Sequence, residues 1–245
     1  MMQSAGWNVD FVGSLDELEG GDTPPNPDFD LDHEGHWGWT AGELADDLPL
    51  WLQDYTPDAV LLHAGHNDLK ASGNDNAIIQ ITFNNLEDII NILRNDNPNV
   101  TIFLAQLIPS LLEPRAHRIP IFNDQVPAFA AGLNQPNSPI IVVDQYTGFN
   151  VNTDTYDGTH PDDSGEQNMA QKWFDALAGS DLTLPVSLTS FVAMAGDGFV
   201  ELKWVTESEI NNEAFILERS TDEVEFTPIA EIPGQGNSNT RREYS

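Results

Sequence analysis

The stretch Pro57-Asp58-Ala59-Val60-Leu61-Leu62-His63-Ala64-Gly65-His66-Asn67-Asp68 decides the fold. A proline break opens it. A short run of branched and aliphatic residues follows, the length of a buried strand. The stretch ends on a glycine and an Asn-Asp pair. In an open α/β sheet, ligands bind beyond the carboxyl ends of the strands, so Asn67 and Asp68 stand where such a fold does chemistry. Read alone, the same residues are also an ordinary turn, because Gly, Asn and Asp are common turn formers.

Working outward, the N-terminal side reads as a helix end over residues 1–6 closed by Gly6, then a short strand from Trp7 to Val12. Residues 19–35 are a loop rich in Gly, Pro and Asp, and the aromatic and glycine cluster His33-Glu34-Gly35-His36-Trp37-Gly38-Trp39-Thr40 overlaps its end. Thr40 with Glu43 matches a capping box, and Leu44, Leu48 and Trp51 continue at helical spacing. On the C-terminal side, Ile78, Ile79, Phe83, Leu86, Ile89, Ile90 and Leu93 predict an amphipathic helix over 77–94. Val100 to Leu107 reads as a strand, 110–133 as partly helical, and Ile140 to Val143 as a strand closed by Asp144. A last helix over 164–178 carries Met169, Trp173, Phe174 and Leu177 on its apolar side. This alternation predicts an α/β domain over residues 1–178, a parallel sheet wrapped by helices.

The pattern changes after a linker at 179–185. Val200, Leu202 and Trp204 alternate with Glu201 and Lys203, and Phe215 and Leu217 alternate with Ile216 and Glu218. Period two without helical spacing predicts a separate all-β module of sandwich type over 186–245. About four strands fit in it, against about seven in a closed sandwich, so it reads as partial.

Composition narrows the function. Forty acidic residues against nine basic ones leave a net charge of −31. Nucleic acid is excluded as a partner, because phosphate binding needs basic patches. The chain has no cysteine, hence no disulfide and no thiolate nucleophile. Six histidines occur, but none at a metal-ligating spacing such as HExxH, so neither a metal nor another cofactor is expected. No apolar run approaches the ~18 residues of a membrane span.

Two pairs of residues can carry chemistry. Asp157 and His160 stand three apart before the last helix, with Pro161 stiffening its start. A carboxylate that holds imidazole Nδ1–H fixes the tautomer and leaves the other nitrogen as a general base. Asn67 offers a side-chain NH₂ and Gly38 an unobstructed backbone N–H, both able to stabilise a developing oxyanion. Each also reads as a turn or surface residue when taken singly.

As a set, His36-Trp37-Gly38-Trp39-Thr40, Gly65-His66-Asn67-Asp68 and Asp157-Gly158-Thr159-His160-Pro161 resemble the SGNH (GDSL-type) hydrolase family. Trp7-Asn8-Val9-Asp10-Phe11-Val12-Gly13-Ser14, with His33-Glu34-Gly35-His36, is similar to its carbohydrate esterase family three branch, which includes acetyl xylan esterases. The resemblance spans residues 1 to about 178. It implies a flavodoxin-like three-layer α/β/α fold and a secreted or cell-surface serine esterase acting on an acetylated polysaccharide or another ester. It further implies that His160 is the base, Asp157 its orienting acid, and Gly38 and Asn67 the oxyanion donors.

The resemblance is incomplete. The family's serine sits in a Gly-Asp-Ser motif on the first strand, and none occurs here; the only Gly-Asp pairs are Gly21-Asp22 and Gly196-Asp197. Ser14 belongs to the segment that matches the end of the second strand and is not taken as the nucleophile. The first strand and its serine are therefore expected to be missing, with the 245 residues a piece of a longer chain and inactive as they stand. A non-catalytic carbohydrate-binding or surface protein is the rival, and an esterase for lipid or aryl esters a second enzyme reading. His66 departs from the threonine or glycine often found before the asparagine; it reads either as a group that tunes the site or as a tolerated substitution. The segments Leu184 to Phe191, Leu202-Lys203-Trp204, Glu209 to Asn212 and Phe215 to Ser220 resemble a fibronectin type III-like module, which implies export and a spacer or sorting role.

Overall fold

A computed structural model describes residues 9–16, 29–180, 186–196, 198–221, 226–238 and 240–245. The chain divides into two compact units, Met1–Ser180 and Asp181–Ser245. The helix end expected over residues 1–6 and most of the linker lie outside the described residues.

In the first unit the elements run α1 (Ala41–Trp51), β1 (Ala59–Leu62), α2 (Asp75–Asp96), β2 (Thr101–Gln106), α3 (Arg115–Asn123), α4 (Val126–Leu133), β3 (Ile140–Asp144) and α5 (Asp163–Gly179). The three strands form a parallel sheet in the order β1-β2-β3, with Leu61 opposite Phe103 and Phe103 opposite Ile141. This is the α/β alternation expected from the apolar spacing. β2, paired on both sides, buries Ile102, Phe103, Leu104 and Ala105. The six aliphatic and aromatic side chains Ile79, Phe83, Leu86, Ile89, Ile90 and Leu93 are the buried face of α2, and Phe83 stacks on Phe122 of α3 at 4.5 Å. The capping box at Thr40 and Glu43 is formed in both directions.

The strand expected from Trp7 to Val12 is not seen where it is described. Among the described residues, 9–12 carry no strand pairing, and Val9, Phe11 and Val12 are exposed. An apolar run becomes a strand only when its backbone groups find a ladder. Here Phe11 N–H donates to the Asp30 carboxylate instead, and Leu15 and His33 form a lone antiparallel bridge. The outer edge of β1 is unpaired among the described residues, and Ala59, Val60 and Leu61 are only half-buried.

The second unit holds β4 (Val186–Ala195), β5 (Val200–Arg219), β6 (Thr227–Ser238) and β7 (Arg242–Tyr244). All pairings are antiparallel: β5 pairs with β4, with β6 and with β7. The two strands expected at 200–204 and 215–218 are one strand, interrupted by register shifts between Glu209 and Ala214. Trp204, buried, stacks on Tyr244 at 5.2 Å and meets Phe215 of its own strand edge-on at 5.3 Å.

Candidate active site

The loop leaving β1 turns at Gly65. Its φ of +109° is open to glycine, and an added Cβ would lie 2.8 Å from Thr82 Cγ2. The turn presents Asn67 and drives Asp68 inward. Asp68 accepts from the backbone N–H of Ala41 at 2.8 Å, at the start of α1, and from Asn85 Nδ2 at 3.4 Å. Burial raises its carboxyl, and the two hydrogen bonds oppose that rise. Asp68 is thus an anchor that ties the β1 loop to the α1 N-terminus, where the orphan N–H groups and the helix dipole favour an anion.

Asn67 donates one Nδ2 hydrogen to the carbonyl of Trp39 at 3.0 Å, and Lys70 Nζ lies 3.4 Å from its Oδ1. Those partners orient the amide and, among the described residues, leave its second N–H uncommitted. One residue before Trp39, Gly38 adopts φ +80°, and no described residue comes within 4 Å of where a side chain would stand. A positive φ and open space are what a backbone N–H needs to meet a ligand.

The Asp157–His160 loop is tightly closed. Asp157 Oδ2 pairs with His160 Nδ1 at 2.7 Å, while its Oδ1 accepts the N–H groups of Thr159 at 3.0 Å and His160 at 2.8 Å. These bonds, the His160 N–H foremost, outweigh the opposing effect of burial and hold the Asp157 carboxyl below its ordinary range. A carboxylate on Nδ1 leaves Nε2 as the lone-pair nitrogen. The loop is fastened to the segment after β2: Leu111 N–H donates to Gly158 O at 2.8 Å, and the Ser110 and Thr159 hydroxyls meet at 2.8 Å. At its other end Asp162 caps α5, accepting from the N–H groups of Ser164 and Gly165.

The aromatic ring of Trp37 brings these pieces together. It stacks on the His160 imidazole at 4.7 Å and 20°. Two residues on, the Trp39 carbonyl receives Asn67. The four positions Gly38, Asn67, Asp157 and His160 therefore gather at one end of the sheet. Ser14 has other partners: its hydroxyl donates to Glu34 Oε2 at 2.9 Å, in a cluster where Glu34 also holds His36 Nε2 at 2.6 Å and the Tyr55 hydroxyl at 2.5 Å. His36 stacks on Trp51 there at 4.2 Å, and Trp39 packs against both rings.

Two participants were not visible as a pair in the sequence. Arg115, the first residue of α3, places NH1 3.1 Å from His66 Nδ1. An arginine on that nitrogen puts the imidazole proton on Nε2. Burial, then the charges of His63, Arg115 and His160, push the His66 imidazole down to about 3. His66 Nε2 and Arg115 Nε are both buried and have no hydrogen-bond partner among the described residues. His66 is expected to stay neutral with its proton on Nε2 between about pH 5 and 8. Nitrogen-15 NMR of the ring checks this; a titration midpoint near the ordinary histidine value of about 6.5 would refute it. Forty-nine residues separate the two, so no local pattern signalled the pair.

A profile described as the GDSL-like Lipase/Acylhydrolase family matches residues 17–167. Among solved structures, a carbohydrate esterase family 3 protein from Talaromyces cellulolyticus is 30% identical, with a TM-score of 0.64 over 73% of this chain and 86% of that one. An acetyl esterase mutant with acetate ion matches with the same identity, coverage and TM-score. Among curated proteins, one named endoglucanase X from Acetivibrio thermocellus is 30% identical over 134 residues, 54% of this chain. The match spans about half of that relative's length, 55%.

Proposed function

Because the chain belongs to the GDSL-like lipase/acylhydrolase family, we propose that it carries the general base and oxyanion donors of a serine esterase that deacetylates a polysaccharide such as acetylated xylan. The observation that carries this reading is the Asp157–His160 pair, 2.7 Å apart, joined through Trp37 to the Gly38 and Asn67 donors. On this reading His160 Nε2 takes the proton of a serine hydroxyl as the oxygen attacks the ester carbonyl. Gly38 N–H and Asn67 Nδ2–H hold the oxyanion. His160 then protonates the departing sugar oxygen, leaving an acyl-enzyme, and activates the water that releases acetate. Asp157 holds the imidazole and balances its transient charge. No metal or organic cofactor enters this sequence of steps.

The hydroxyl lies outside these 245 residues on the same reading, since no Gly-Asp-Ser occurs in them. That absence also favours a second reading, a carbohydrate-binding or surface protein without turnover. Residues 1–245 are expected to release no acetate from acetylated xylan. Turnover that Ser14→Ala abolishes would overturn the assignment of the nucleophile. A product carrying Gly-Asp-Ser ahead of Met1 is expected to turn over acetyl esters faster than longer acyl esters; an inactive one would favour the binding protein. The second unit is read as a fibronectin type III-like spacer, and the protein as secreted or cell-surface. None of the described helices is long and apolar enough to cross a membrane.

A further inference from the structure

Two large aromatic side chains beside the candidate base are turned to water. Trp37 is 60% and Tyr156 66% exposed. Both lie nearly parallel to the His160 imidazole, Trp37 at 4.7 Å and 20°, Tyr156 at 5.7 Å and 17°. Leu111, 55% exposed, extends the same rim and is tied to it through Gly158. A single exposed apolar residue is ordinary, but a cluster around one catalytic-type side chain forgoes burial worth about 25 cal/mol per Å². Trp39, two residues away, finds cover against His36 and Trp51.

We propose that Trp37 and Tyr156 form a binding platform for a neutral pyranose ring of the polysaccharide, presenting its ester to His160. This rests on the esterase reading and specifies its sugar subsite. A pyranose has an apolar C–H face that covers an aromatic ring while its hydroxyl edge stays wet. An open, water-exposed pair of rings suits that ligand. A long acyl chain instead requires an enclosed apolar cleft. The net charge of −31 disfavours acidic sugars, which the surface field repels.

Binding needs no nucleophile, so the test uses residues 1–245 directly, and the platform can fail while the ester chemistry stands. Xylohexaose is titrated by NMR, and retention is measured by electrophoresis in gels containing acetylated xylan. Trp37→Ala and Tyr156→Ala are each expected to weaken binding about three- to tenfold, the range of one aromatic stacking contact. Trp37→Phe is expected to keep most of the affinity. Thermal melts of the variants are expected to match the parent, since both rings are exposed. Retention unchanged in the double variant, no saturable binding of xylohexaose by the parent, or tighter binding of decanoyl-ester micelles than of the oligosaccharide would each overturn the proposal.

Discussion

Arg118→Met is expected to destabilise the first unit by about 1.5–3 kcal/mol, the cost of losing the charge-assisted hydrogen bonds of a buried guanidinium. Arg118 is only 3% exposed and spends its guanidinium on one loop. It pairs with Asp75 Oδ1 at 2.6 Å and donates to the carbonyls of Leu69, Ala71 and Gly73. Methionine keeps much of the apolar stem but satisfies none of those oxygens. The Leu69 carbonyl is the buried one of the three, and a buried acceptor left without its donor costs about 1–3 kcal/mol. The loop concerned begins two residues after Asn67, so Asn67 loses its footing together with the fold. Urea dependence of amide exchange in α2 reads the change in this unit alone. A loss below about 1 kcal/mol would show that water satisfies the loop.

The second large effect is expected at Glu209. This carboxylate is fully buried where β5 changes register. It accepts from Thr206 Oγ1, Asn212 Nδ2 and Gln235 N–H, each at 2.8 Å, and from the Tyr244 hydroxyl. Burial pushes the carboxyl up, but those four donors, Tyr244 first, outweigh it and bring it down to about 2. Its bonds join three strands, β5, β6 and β7. Glu209→Ala is expected to cost about 3 kcal/mol, because the donors stay behind unpaired. The pH dependence has a definite sign. The folded value lies below the unfolded one of about 4.3. The contribution is therefore complete above about pH 4.3 and is lost as the pH falls toward 2. In the alanine variant that acid loss is expected to be smaller. Equal stability of variant and parent at neutral pH would contradict the assignment.

Much of the first unit could be read from spacing alone. The apolar runs at 59–62, 101–106 and 140–144, and the helical stripes of α1, α2 and α5, are local patterns whose meaning does not depend on distant residues. The segment from Trp7 to Val12 shows the limit of that reading. Its composition is strand-like, yet a strand is a property of two segments, and residues 9–12 have no ladder among the described residues. The second unit shows the same limit, for alternation marks both halves of β5 but says nothing of the continuous, register-shifted strand between them.

At the candidate site, the turn glycines, Asn67, Asp157 and His160 stood out because their chemistry is tied to short motifs. The groups that support them did not. Arg118 reaches back more than forty residues to its loop, Arg115 crosses a similar span to His66, and Ser110 meets Thr159 across another. Such partners are set by how strand ends converge, which no window along the chain contains. Trp37 falls between the two cases: it belongs to an aromatic and glycine cluster that stands out in the sequence, but only the fold puts its ring on His160.

Ester hydrolysis of the proposed kind requires Gly38, Asn67 and His160 to face one spot of acetate size. Titration of nitrogen-15-labelled protein with sodium acetate tests that without requiring turnover. Saturable shifts are expected together at the Gly38 amide, the Asn67 side-chain NH₂ and the His160 ring, with one shared dissociation constant. If those three signals stay still, or move with unrelated constants while acetate binds elsewhere, the donors and the base do not share a site.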